Sequence, residues 1–202
     1  MVTIIDYGVG NLFSLSSSFK KIGAEVKISS CPDDIAAADR LLLPGVGAFG
    51  DAARKLRESG LAEILVREAR AGKPLLGICL GMQLLFERGY EYGEQEGLGL
   101  LEGSIVAMDG QIPAELKIPH IGWNRLDIRQ ESALLKYVNQ NDYVYFVHSY
   151  YARCSSDIIL ATTEYGKDIT AVVGSGNIFG CQFHPEKSGD VGLDILRAFL
   201  EI

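Results

Sequence analysis

Two short runs, Leu41 to Leu43 and Leu75 to Ile78, carry no polar residue and show no alternation. A strand with one wet face alternates apolar and polar side chains, whereas a parallel strand roofed by helices on both faces does not. These runs therefore demand cover on both sides. The surrounding chain supplies it: "VTIID", a helix from Asn11, "AEVKIS", "DDIAAAD", "RLLL", a helical region from about Phe49, and "PLLGI" follow one another in βαβα order. The pattern predicts an α/β fold with a doubly wound, mostly parallel central sheet flanked by helices. The first helix places Leu12, Leu15, Phe19 and Ile22 on one side and stops at Gly23, as a core stripe with a C-terminal glycine does. After about residue 103 the periodicity changes: "YVYFVHSY", "DIILATTE", "DITAVV" and "NIFGCQFH" read as strands, the last three joined by the turn signals "EYGK" and "GSGN". They predict antiparallel strands appended to the parallel sheet, before a final helix carrying Val191, Ile195, Phe199 and Ile202 at helical spacing.

The 202 residues fit one domain, residues 1–202, of ordinary globular composition at 48% hydrophobic and 22% charged. No apolar run reaches membrane-spanning length. The N-terminal "MVTIIDYG" reads as a strand, without the basic flank and cleavage site of a signal peptide, so a cytoplasmic protein is expected. The 26 acidic against 19 basic residues give a formal charge of −7, with no Lys/Arg stripe to follow phosphates, which argues against nucleic acid as a partner. Cys31, Cys79, Cys154 and Cys181 are widely spaced and form no CxxC, so neither a zinc site nor a disulfide framework is expected, and no metal or cofactor is called for.

One cysteine stands apart. "Leu75-Leu76-Gly77-Ile78-Cys79-Leu80-Gly81" reads as strand, sharp turn and helix start, with cysteine in the serine position of the G-x-S-x-G nucleophile elbow. Flanking glycines allow the tight turn, and a thiol at its apex points into a cleft. The positive end of the helix dipole favours the thiolate, the reactive form. The Leu80 N–H has no intrahelical partner and is free to face a developing oxyanion. Gln83, one turn on, shares the helix face of Cys79 and can hold a polar substrate.

A nucleophile needs a base. Among His120, His148 and His184, only the last has a carboxylate two residues on, in "GCQFHPEKS". Strand alternation puts Gln182 and His184 on one face with Cys181 and Phe183 on the other. Pro185 ends the ladder, and Glu186 returns to the imidazole side as the orienting third member of a triad. Cys79, His184 and Glu186 thus predict nucleophile, general base and orienter. Cys31, Cys154 and Cys181 are assigned no chemistry. "Gly45-Val46-Gly47-Ala48-Phe49-Gly50" satisfies G-x-G-x-x-G, but Pro44 intervenes, the motif follows the third strand, and no acidic partner for a ribose follows; a nucleotide site is the poorer reading. At the carboxyl end of a parallel strand this loop can instead offer a second N–H to an oxyanion. These residues alone fit a cysteine hydrolase or peptidase on an α/β scaffold; a binding module that keeps the fold without the chemistry would be expected to show a broken triad.

Together, "DYGVGN", "LPGVGAFG", "GICLGMQLL", "KIPHIGWN", "YFVHSYY" and "FGCQFHPEKS", in that order over essentially the whole chain, resemble the class I, triad-type glutamine amidotransferases. Within that family they are most similar to the glutaminase subunits of imidazole glycerol phosphate synthases. The resemblance implies a flavodoxin-like fold and cleavage of L-glutamine by Cys79, His184 and Glu186 through a thioester. It also implies an oxyanion hole from Leu80 and the Val46 to Gly47 segment, and substrate contacts from Gln83, Ser149 and Tyr150. Trp123, Tyr145 and Lys187 are implied as the face toward a (β/α)8-barrel cyclase partner in histidine biosynthesis, to which ammonia passes. A paralogous amidotransferase serving another acceptor would share all of these features.

Overall fold

The computed structural model describes all 202 residues. Its first half alternates β1 (Val2–Ile5), α1 (Leu12–Lys21), β2 (Val26–Ser29), α2 (Pro32–Ala37), β3 (Arg40–Leu43), α3 (Phe49–Glu58), α4 (Leu61–Arg70), β4 (Leu75–Ile78) and α5 (Leu80–Leu84). There follow β5 (Phe86–Gly89), β6 (Gln95–Glu96), β7 (Leu101–Ala107), β8 (His120–Arg125), β9 (Asp127–Ile128), β10 (Tyr143–His148), β11 (Tyr150–Arg153), β12 (Ile159–Glu164), β13 (Asp168–Ser175), β14 (Ile178–Cys181) and α6 (Gly189–Leu200).

The main sheet has eight strands in the order β2-β1-β3-β4-β14-β13-β12-β9. Its β2 to β14 portion is parallel, and β13, β12 and β9 extend it antiparallel. The lack of alternation in the buried runs has its predicted cause: Leu41 and Leu43 enter one core while Leu42, between them, enters the other. The first core packs β1, β3 and β4 under α2, α3 and α4; the second packs the opposite face under α1 and α6, through Leu15, Phe19, Ile195, Leu196 and Phe199. Helix α1 begins where Asn11 Oδ1 accepts the Ser14 N–H at 3.3 Å, and it ends before Gly23 at φ 76°, a left-handed position that suits glycine.

Three features depart from the sequence reading. The strand-rich part begins at Phe86 instead of after about residue 103: α5 lasts five residues and the chain then enters β5 of a second sheet, ordered β11-β7-β5-β6. "YVYFVHSYY" is two strands, because the chain breaks at Ser149: β10 pairs with β8 in a two-stranded sheet, and β11 pairs with β7. Alternation reports which way side chains point, not which neighbour a strand selects. Strand β14 ends at Cys181 instead of running to His184. The alternating side-chain directions persist beyond it because the Gln182 N–H still donates to Ala171 O, at 2.8 Å.

The turn from β4 into α5 is the tightest junction. Cys79 has φ 54° and ψ −113°, a region L-residues rarely occupy and one associated with functional turns. Its neighbours leave no space for side chains. A Cβ on Gly81 would lie 1.9 Å from Leu43 O, and one on Gly77 would lie 2.7 Å from the α5 backbone. Gly81→Ala should therefore destabilise the fold by about 2 kcal/mol or more and lower Tm by several degrees in thermal unfolding; an unchanged Tm would show that the turn can relax.

Candidate functional site

Loops at the carboxyl ends of β3, β4 and β14 and the β10 to β11 crossing meet around one cavity of about 380 Å³. Its walls include Val46, Gly47, Cys79, Leu80, Gln83, Ser149, Tyr150, His184 and Lys187. These are the predicted nucleophile, base, oxyanion-hole and substrate-binding positions, with one of the predicted partner-facing residues at the rim.

His184 Nδ1 lies 2.9 Å from Glu186 Oε1, and both side chains are almost wholly buried, at 4% and 1% exposure. With Nδ1 held by the carboxylate, Nε2 is the ring nitrogen left for other partners. Burial opposes a charged His184 ring, but the neighbouring Cys79 sulfur and the hydrogen-bonded Glu186 carboxylate favour it and prevail, raising its pKa to about 10. The other histidines behave oppositely. Burial lowers His120 to about 4, and burial, opposed by the bond to Tyr150 O, lowers His148 to about 4 as well. The cavity therefore holds one imidazolium and one neutral imidazole near neutral pH.

The Gly47 and Leu80 N–H groups donate to no backbone acceptor of the chain. Both belong to cavity-lining residues. The glycine loop is fixed from below: the Tyr7 hydroxyl donates to Pro44 O at 2.8 Å from a buried position. Burial, helped by the charge on Cys79, holds that phenol well above its ordinary value, so it stays a donor. Gln83 uses its amide nitrogen internally, donating to Tyr150 O at 3.3 Å and Gln182 Oε1 at 3.0 Å. Its carbonyl oxygen remains for a ligand, as an acceptor.

Trp123, Tyr145 and Lys187 also come together. Trp123 pairs with Tyr145 across β8 and β10, with ring centroids 6.1 Å apart, and Lys187 Nζ sits 5.8 Å from the Tyr145 ring centroid. Trp123 is 55% exposed. This patch is mechanically tied to His184, because Tyr145 O accepts the His184 N–H at 3.0 Å and the Tyr145 N–H donates to Ser188 Oγ at 3.0 Å. Ser188 Oγ in turn donates to His184 O at 2.7 Å.

Sequence reasoning passed over Glu91, Pro119, Val147 and His148 on the cavity wall. Glu91 Oε2 accepts the Phe49 N–H at 2.7 Å, at the start of α3, from 42 residues away; no local pattern signals such a contact. His148 was set aside for want of a following carboxylate, yet its Nδ1 meets Tyr150 O at 2.8 Å and its Nε2 meets His120 Nδ1 at 3.1 Å. The predicted strand "YVYFVHSY" was signal enough to place it inward, since Phe146 and His148 alternate on the buried face. Cys181 is fully buried and burial raises its thiol far from ionisation, while Cys31 is exposed. The Gly45 to Gly50 loop leads into α3 but shares its cavity with the thiol.

The glutamine amidotransferase class-I family model matches residues 3–202. The imidazole glycerol phosphate synthase subunit HisH of Lactococcus lactis subsp. lactis (strain IL1403) is 50% identical over 201 residues, covering 99% of this chain and 98% of that protein. The subunit of the same name from Methanothermobacter thermautotrophicus is 50% identical over 202 residues, covering 100% and 98%. Among solved structures, a glutamine amidotransferase superposes with a TM-score of 0.78 at 22% identity, covering 100% of this chain and 98% of the other. PurLQS from Thermotoga maritima gives 0.77 at 20% identity, covering 99% and 97%; these two likenesses concern the fold. With the profile spanning nearly the whole chain and half the positions shared with full-length relatives, the chain belongs to the class-I glutamine amidotransferase family.

Proposed function

We propose that this chain hydrolyses the side-chain amide of L-glutamine and passes the ammonia to a (β/α)8-barrel cyclase subunit of an imidazole glycerol phosphate synthase, in histidine biosynthesis. The observation that carries the chemistry is the convergence, on one cavity, of a cysteine on a strained turn and a histidine backed by a buried carboxylate. The half-identity to two HisH subunits supports the pathway.

In the proposed reaction the Cys79 thiolate attacks the carboxamide carbon and the Leu80 and Gly47 N–H groups receive the oxyanion. His184, carrying its proton on Nε2, gives it to the departing nitrogen, and ammonia leaves a γ-glutamyl thioester. The now neutral ring takes a proton from water, whose oxygen attacks the thioester; glutamate departs, and the thiolate and imidazolium are restored. Glu186 keeps the ring oriented and supports its charge throughout. Gln83 Oε1 accepts a hydrogen from the substrate, and Glu91, the one carboxylate on the cavity wall, suits the α-ammonium of an amino acid.

The partner follows from the product. Ammonia released into neutral water becomes ammonium, which lacks the lone pair an acceptor needs, so productive transfer requires a sheltered path. The exposed Trp123 beside Tyr145 and Lys187, the last of which lines the cavity, suits the docking face. Because Tyr145 bonds directly to the His184 backbone, docking there bears on the base. Ammonia release from glutamine should be slow in the isolated chain and rise on adding the cyclase; rapid turnover unaffected by cyclase would contradict the coupling. Cys79→Ala should reduce the rate by on the order of 10⁴ or more, and an undiminished rate would remove Cys79 from the mechanism.

The proton inventory offers a second check. A raised His184 stays protonated until pH rises through about 10, whereas the lowered His120 and His148 stay neutral until pH falls through about 4. Histidine ring NMR between pH 5.5 and 8 should thus show one imidazolium, two neutral rings and no titration. In Cys79→Ala one of the two partners that hold the proton is gone, and the His184 midpoint should move down; an unmoved midpoint would show that the sulfur does not engage the ring.

A further inference from the structure

We infer that Gln182 is the residue that holds the Cys79 sulfur, donating a hydrogen bond to it through an amide whose orientation is dictated from the Tyr150 carbonyl two side chains away. This inference rests on Cys79 being the nucleophile.

One group beside these amides has a polarity that cannot be reversed. A backbone carbonyl only accepts, so the Gln83 amide atom 3.3 Å from Tyr150 O must be nitrogen. That same nitrogen lies 3.0 Å from the Gln182 side chain, so the Gln182 atom facing it must be oxygen. The remaining Gln182 atom, 3.8 Å from Cys79 Sγ, is then Nε2, a donor. An amide flip is excluded at each step, since it would set two donors or two acceptors against each other. Tyr150 O is itself held by a second donor. His148 Nδ1 lies 2.8 Å away and carries the proton there, which leaves His148 Nε2 to accept from His120 Nδ1 at 3.1 Å. The result is a directed chain from the paired strands β8 and β10, through the Tyr150 carbonyl and two glutamine amides, to the reactive sulfur.

Gln182 is completely buried and Gln83 nearly so. A primary amide in such a place needs partners, and this one has its oxygen satisfied by Gln83 and its nitrogen directed at the sulfur. A neutral donor suits a thiolate that must also remain nucleophilic: it fixes the sulfur's position while His184 supplies the countercharge. Gln182 is adjacent to Cys181, whose thiol points into the apolar core, so the backbone has little room to reposition the amide.

Alkylation of the sulfur by iodoacetamide tests this without glutamine, so its outcome is separate from whether the chain hydrolyses that substrate. Rates at each cysteine are followed by peptide mass spectrometry from pH 5 to 9, with exposed Cys31 as the internal reference. Replacing Gln182 with Met, which keeps the bulk and removes the donor, should displace the pH profile of Cys79 alkylation relative to Cys31 to higher pH, by about a tenfold loss of rate on its rising limb, the lower end of what a hydrogen bond to a charged group contributes. Gln182→Glu should displace the profile further in the same direction by placing a carboxylate against the thiolate. A Cys79 to Cys31 ratio unchanged in both variants would overturn the inference. The unaltered chain gives an independent reading if neither variant folds: the Gln182 side-chain amide resonances should shift with pH at the midpoint of Cys79 alkylation, and resonances that ignore it would equally overturn the inference.

Discussion

The site depends on a close backbone approach, the packing of Gly81 against the Leu43 carbonyl. Because no side chain stands there, α5 can start directly beneath the end of β3, and the single residue between β4 and α5 must take the left-handed conformation seen at Cys79. The thiol is thereby lifted out of the sheet into the cavity, beside Leu80, whose N–H has no backbone acceptor. Two buried cores, one on each face of the sheet, hold the strands against which the turn is bent. Strain at one residue is thus maintained by packing distributed over the fold.

Around this fixed sulfur the structure builds a graded electrostatic environment. His184 is made a better proton holder by Glu186 and Cys79, while His148, on the same cavity wall, is made a poorer one by burial. The two rings, chemically identical in sequence, divide into a charged member and a neutral hydrogen-bond conduit. Separation of this kind marks groups with different tasks. The Tyr145 backbone links the charged member to an exposed aromatic patch, and the His120 to His148 pair links the neutral one to the same paired strands. Both sides of the cavity therefore lean on β8 and β10, the elements that present Trp123.

Much of this was legible in the sequence because its signals are local. Unalternated Leu41 to Leu43 could mean only a strand covered twice; Gly-x-Cys-x-Gly could turn in few ways; Glu186 two residues after His184 returns to the same side across Pro185. The antiparallel extension was readable from its turns. What escaped was non-local. The length of α5 is limited by β5 pairing with β7, the break at Ser149 by two sheets competing for one apolar run, and the value of His148 by a neighbour 28 residues away. Glu91 likewise reaches α3 from beyond the elbow. Such contacts depend on how distant segments are stacked, which periodicity does not encode.

The proposed function rests on one step, acylation by glutamine of the sulfur lifted out by this turn. Chain and cyclase incubated with glutamine, quenched in acid during turnover and mapped by peptide mass spectrometry, measure that directly. The account requires a γ-glutamyl group on the peptide containing Cys79 and on no other cysteine; sustained ammonia release with that peptide unmodified, or with the acyl group on Cys31, Cys154 or Cys181, would contradict it.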